Sequence, residues 1–217
     1  MDVVIAGGHG QIALRLERLL AARGDTVTGL IRRAGQAGEL EALGARPVVC
    51  DLEQATAAEL APVLAGADAV VFAAGAGPAS GSARKETVDR GAAALLADAA
   101  ELAGVRRYLM ISSMGLGAAE RPEVDEEFRT YLRAKAAAEE DLRARALDWT
   151  VLRPGVLTDD PGQGLVRLAE PPVAMASVSR DDVAAVLLAL LDTPASVGRT
   201  LELVTGELPV AEAVAAL

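Results

Sequence analysis

The stretch Gly7-Gly8-His9-Gly10-Gln11-Ile12-Ala13 decides the reading of this chain. It follows a β-branched run, Val3-Val4-Ile5, and opens a segment, Gln11 to Arg23, with apolar residues at 12, 16, 19 and 20. That spacing predicts a strand, a tight turn and a helix in succession. The stretch fits Gly-x-x-Gly-x-x-Ala from Gly7 and Gly-x-Gly-x-x-Ala from Gly8. Such turns use one glycine for the reversal, a second to let pyrophosphate approach the backbone, and a small residue for close helix–sheet packing. The helix N-terminus adds free N–H groups and a positive dipole end. Gly7, Gly8, His9, Gly10, Gln11 and Ile12 are therefore the candidate cradle of a dinucleotide, with His9 a loop residue beside the pyrophosphate.

Outward from this turn, short apolar runs alternate with Ala- and Leu-rich stretches. Strands are expected at Thr26–Ile31, Arg46–Cys50, Ala69–Ala73, Arg107–Ser112, Thr150–Arg153 and Leu201–Val204. Helices are expected at Gly35–Leu43, Ala55–Leu64, Ala83–Ala103, Glu126–Ala146, Arg180–Leu191 and Val210–Ala216. Gly24 and Gly104 stop two helices, and Ser179 caps another, with Asp181 and Asp182 in its first turn. The alternation predicts an α/β, Rossmann-type doubly wound parallel sheet of about six to seven strands flanked by helices. No repeat or linker divides the chain. A single domain over 1–217 is expected, with 155–217 as a minor substrate-side lobe and the Gly- and Pro-rich 155–177 irregular.

The 217 residues suffice for a full core without metals or disulfides. Hydrophobic residues make up 52% and charged residues 24%, which excludes a disordered chain. A net charge of −10 disfavours nucleic acid and anionic membrane as partners. One His and one Cys cannot supply the usual zinc ligands, so no metal is expected. Cys50, expected to be a core residue, suits a reducing cytoplasm. No secretory leader or membrane helix is visible, so a cytoplasmic location is expected, as a monomer or homodimer. The segments 83–103 and 126–146 could supply a helix-pair interface.

The end of the second strand bears on the cofactor. NAD sites usually place an acid there for the ribose 2′-hydroxyl, whereas this chain has Arg32 and Arg33. Guanidinium groups bind a 2′-phosphate, which favours NADP over NAD. Asp51-Leu52 follows the third strand, where adenine would sit. Asp51 either accepts from the adenine amino group or caps the next helix. The small residues of Ala73-Ala74-Gly75-Ala76-Gly77 allow close cofactor approach.

Tyr131 and Lys135 are four residues apart in an expected helix and so share a face. A neighbouring ammonium favours the phenolate of a tyrosine and makes it a better acid–base group near neutral pH. Ser112-Ser113 ends the fifth strand at the edge that carries the glycine turn, where a hydroxyl could hold a substrate carbonyl.

These residues, in this order, resemble the short-chain dehydrogenase/reductase superfamily over nearly the whole chain. Leu152-Arg153-Pro154-Gly155-Val156-Leu157-Thr158-Asp159 and Ser179-Arg180-Asp181-Asp182-Val183-Ala184 are similar to segments of its atypical, NAD(P)-binding branch, termed epimerase/dehydratase-like or NmrA-like. The resemblance implies that Tyr131 is the proton donor and that Lys135 lowers its pKa and binds the nicotinamide ribose. It implies that Ser113, ahead of Ser112, orients the substrate oxygen. Asp89 falls where the superfamily usually has Asn. Pro154, Gly155, Val156 and Leu157 would contact the nicotinamide amide through backbone groups.

The expected function is NADP-dependent hydride transfer to a small carbonyl, quinone or flavin-like acceptor, with a small-molecule substrate as the partner. The alternative is a non-catalytic NADP(H) sensor of NmrA-like type. Nucleotide-sugar epimerase or dehydratase chemistry is the weakest reading, because only residues 155–217 follow Pro154, short of the lobe such enzymes carry.

Overall fold

The computed structural model describes residues 1–75 and 85–217. Strands β1 (Asp2–Ala6), β2 (Thr26–Ile31), β3 (Arg46–Val49), β4 (Ala69–Phe72), β5 (Arg107–Ile111), β6 (Asp148–Pro154) and β10 (Arg199–Thr205) are parallel. The remaining strands are β7 (Val156–Thr158), β8 (Leu165–Ala169), β9 (Ser177–Ser179) and β11 (Leu208–Pro209). The large sheet has nine strands in the order β11-β8-β10-β6-β5-β4-β1-β2-β3. Its parallel part reverses at β1/β4, the point at which a doubly wound sheet opens a crevice. Seven α-helices lie among the described residues: α1 (Gln11–Arg23), α2 (Ala37–Ala42), α3 (Ala57–Leu64), α4 (Ala92–Ala103), α5 (Glu126–Arg143), α6 (Arg180–Leu191) and α7 (Val210–Ala215).

Alternation along β1 divides the core. Val3 and Ile5 pack with residues of α1 and α6, while Val4 and Ala6 pack with residues of α3, α4 and α5. Each helical layer thus covers one face of the sheet. Helix ends follow local chemistry. Gly24 and Gly104, at φ +91° and +74°, close α1 and α4. Asp125 caps α5 by accepting from the Phe128 N–H at 2.9 Å. Ser179 caps α6 by accepting from the Asp182 N–H at 3.0 Å.

The parallel sheet and the expected helices are present, with three corrections. The expected helix over 83–103 begins outside the described residues. From Lys85 to Gly91 it is π-helical, and it becomes α-helical only at Ala92. The stretch 155–177 is not irregular: β7 pairs with β9, and β8 extends the sheet antiparallel to β10. The helix after β3 is capped by Thr56, not by Asp51. Thr56 Oγ1 accepts from the Glu59 N–H, and Glu59 returns the bond to the Thr56 N–H at 2.9 Å.

One contact orients the helix that carries Tyr131. Arg153, in the Leu-Arg-Pro-Gly run, donates twice to the buried Glu139 of α5, at 2.8 and 2.6 Å. A fork-to-fork pair of this kind fixes direction as well as distance. It ties α5 to β6 one turn beyond Lys135.

Candidate active site

The glycine turn resolves its own register. Gly7 has φ +82°, and a Cβ there would lie 2.6 Å from the Ala74 Cα. Gly10 begins α1 with no side-chain cap, so the first N–H groups of the helix keep their donors for a ligand. Ala13 is buried against the sheet. The Gly7-x-x-Gly10-x-x-Ala13 reading therefore describes the structure. Gly8 instead makes room beneath the turn, since a Cβ on it would meet Gly29 of β2 and the Glu17 carboxylate, each at 2.8 Å.

That carboxylate is an unexpected feature. Glu17 of α1 is fully buried, and neither oxygen has a hydrogen-bond partner among the described residues. Burial, assisted by Glu39, pushes its pKa up to about 8. The Glu39 carboxylate accepts from the His9 ring at 2.8 Å, which places the single histidine beside the turn.

Two cavities open at the carboxyl edge of the sheet. The first, about 270 Å³, is lined by Gly7, His9, Arg32, Gln36, Cys50, Asp51, Leu52 and Glu53, among others. Arg32 faces it, with one guanidinium nitrogen 3.7 Å from Glu53. Arg33 does not line it and is exposed. Asp51 lines it while accepting from the Glu53 N–H at 3.1 Å. Cys50 is half-buried, packed against the core and lining this cavity, and burial pushes its thiol pKa up.

The second cavity, about 590 Å³, is lined by Gln11, Ile12, Asp89, Ser112, Phe128, Tyr131, Lys135, Leu157 and Arg180, among others. Gly10, Ala73, Ala74 and Gly75 line both cavities, so the two meet over the glycine turn. Ala76 and Gly77 lie outside the described residues.

Tyr131 and Lys135 share the cavity-facing side of α5, as their spacing requires. The Lys135 ammonium is buried, 3.2 Å from Asp89 Oδ1, and donates to the Ile111 carbonyl at 3.2 Å. Asp89 is itself fully buried on the π-helical turn. The Tyr131 and Phe128 rings stack with centroids 5.9 Å apart and form an aromatic wall. The other tyrosine, Tyr108, is a core residue that donates to the Ala93 carbonyl.

The structure separates the two serines. Ser113 lines neither cavity, and its hydroxyl donates to the Met114 carbonyl at 3.1 Å. Ser112 lines the second cavity, and its buried Oγ has no hydrogen-bond partner among the described residues. The expected backbone contact from 154–157 also narrows. The Pro154 carbonyl accepts from Met114, the Gly155 N–H donates to Leu203, and the Val156 N–H donates to Ala176. Of the four residues only Leu157 lines the cavity.

Sequence reasoning passes over Arg180, Phe128 and Glu53. Arg180 stands in a recognised segment with no role attached. The offset of three between Phe128 and Tyr131 is the available signal for the aromatic wall.

An uncapped helix start, a turn in which Gly7 and Gly8 admit no side chain, an arginine at the far end and an unsatisfied buried hydroxyl at the near end together fit a dinucleotide. Comparison with known proteins agrees. Residues 7–194 match a family described as NAD(P)H-binding, and the chain belongs to it. Among curated relatives, a Bacillus subtilis protein named "Uncharacterized sugar epimerase YhfK" is 36% identical, with 98% of each chain covered. Among solved structures, that of a putative NAD-dependent epimerase/dehydratase from Bacillus halodurans superposes with a TM-score of 0.91 at 33% identity, covering 100% of both chains. Another, named as the anaerobillin reductase ChuY from Escherichia coli O157:H7, gives 0.79 at 25% identity, covering 96% of this chain and 98% of that one. The chain belongs to an NAD(P)-binding, oxidoreductase-like family, which is consistent with the resemblance to the atypical short-chain dehydrogenases/reductases. Among the described residues, no helix is long and apolar enough to cross a membrane.

Proposed function

We propose that this protein is an NADP(H)-dependent oxidoreductase that reduces a small planar carbonyl, quinone or flavin-like acceptor. One observation carries the reading: Tyr131, Ser112 and Lys135 line a cavity that shares its floor with the dinucleotide turn. The adenosine end would occupy the first cavity, with Arg32 facing the 2′-phosphate and the start of α1 holding the pyrophosphate. Bound in this way, the nicotinamide supplies the hydride. Tyr131 gives its hydroxyl proton to the acceptor oxygen, and Ser112 holds that oxygen in place. Asp89 and the Ile111 carbonyl engage Lys135, leaving a third N–H for the nicotinamide ribose. Stacked Phe128 and Tyr131 suit a flat acceptor. A structural neighbour named as a reductase supports the direction of the reaction. A reducing cytoplasm suits the free Cys50.

The buried Asp89–Lys135 pair favours a second reading. An ammonium already matched by a carboxylate lends less of its field to Tyr131, which a non-catalytic NADP(H) sensor would not need. NADPH consumption against a panel of quinones, flavins and simple carbonyls tests the two. With a carbonyl or quinone acceptor, Tyr131→Phe is expected to cut kcat by about 100-fold or more and leave NADPH affinity unchanged. NADPH binding without turnover of any acceptor would give the sensor reading instead.

A further inference from the structure

The second cavity is not electrically uniform. Its α5 wall carries the carboxylates of Asp125 and Glu127 beside Phe128 and Tyr131. The opposite wall carries Arg180, the first residue of α6, with Leu157 and Ile12. The two walls belong to helices on opposite faces of the sheet. Among the described residues, Lys135 is the other cation in the lining, and it is matched by Asp89.

Arg180 is differently placed. Its side chain is 23% exposed, and it pairs at 2.9 Å with Asp159, which is 71% exposed. Asp159 is shared, lying 3.7 Å from Arg15 of α1 as well. A carboxylate so open to water binds its partner weakly, because solvent screens the pair. Arg180 also lines the cavity, together with Ile12 and Leu157, and away from bulk water a charge-assisted pair is stronger.

We propose that Arg180 is an anion-binding subsite of the acceptor cavity, and that the acceptor is a planar molecule bearing a carboxylate or similar anionic group. This rests on the reading of the second cavity as the acceptor site. The field across the cavity sets the orientation. The acceptor's anionic group goes to the α6 wall, away from Asp125 and Glu127, and its reducible oxygen goes to Tyr131 and Ser112. The unsatisfied Ser112 hydroxyl, buried in the same cavity, is an independent sign that a polar ligand atom belongs there.

The test uses a matched pair of probes, anthraquinone-2-carboxylate and its uncharged carboxamide, titrated calorimetrically into protein saturated with NADP⁺. Wild type is expected to bind the carboxylate about tenfold tighter than the carboxamide. Arg180→Gln should bring the two affinities level, while Arg180→Lys keeps part of the preference. Asp159→Asn should widen it, because the competing carboxylate is gone. A purely structural role for the Arg180–Asp159 pair would move both probes together, and that result would overturn the proposal. Equal affinity of wild type for the two probes would also overturn it. Failure of both probes to bind would remove the acceptor reading of the cavity, and this proposal with it.

Discussion

The two cavities that meet over the glycine turn are built from different materials. The first is shaped by main chain. Gly7 excludes a side chain, Gly10 leaves a Cβ only 3.0 Å from the Gly7 carbonyl, the open N-terminus of α1 supplies donors, and a loop folded around Asp51 closes the far end. The second is shaped by side chains held in ion pairs: Lys135 with Asp89, Arg180 with Asp159, and α5 itself through Arg153 and Glu139. Backbone geometry recognises what every dinucleotide shares. Side chains choose the substrate. The contrast explains why the cofactor class follows from the turn, whereas the acceptor is constrained by the charge and shape of one cavity.

The largest expected effect breaks the main-chain cavity. Gly7→Ala forces a Cβ into the Ala74 backbone at a positive φ, so NADPH affinity should fall by about 100-fold and the protein should lose about 2 kcal/mol of stability. Calorimetric titration and denaturant unfolding check the two parts.

A smaller effect sharpens the boundary between backbone and side-chain recognition. Arg32→Gln should weaken NADPH binding by about tenfold and leave NADH unchanged. Glu53→Gln should shift the ratio the other way, by roughly threefold, since Glu53 lies 3.7 Å from Arg32 and repels a 2′-phosphate. Equal losses for both nucleotides in Arg32→Gln would mean that the guanidinium does not read the 2′ position.

A last effect, on stability and not on nucleotide binding, concerns Glu17, beneath the turn. Its folded pKa, near 8, lies above that of an exposed glutamate, so the folded state holds a proton that the unfolded state releases. Stability is therefore full below about pH 4.5 and declines as pH rises to about 8. Glu17→Gln should flatten this slope in thermal melts from pH 5 to 8. An unchanged slope would show that Glu17 is ionised in the fold.

Legibility in the sequence follows the same division. The parallel sheet is readable because β-branched runs alternate with helical spacings, and α1 is readable to the residue because Gly10 and Gly24 bound it. Lys135 and Tyr131 are readable because four residues make about one helical turn. Which of Ser112 and Ser113 lines the cavity is not, since adjacent residues leaving a strand point to opposite sides. The pairing of 155–177 is hidden because its strands are short and rich in interruptions, and Gly155 is required there for contact rather than flexibility. A Cβ on it would lie 2.0 Å from the Ala176 carbonyl. Glu17 is invisible for a similar reason: its helical position reads as an ordinary polar residue until Gly8 and Gly29 are seen to make room for it.

The most direct measurement is a crystal structure of the NADP⁺ complex. The expected result has the pyrophosphate at the start of α1, the 2′-phosphate against Arg32, and the nicotinamide in the second cavity, its reactive face open towards Tyr131 and Ser112. A dinucleotide confined to the first cavity, or a nicotinamide turned away from Tyr131, would contradict the claim that the two cavities form one redox site.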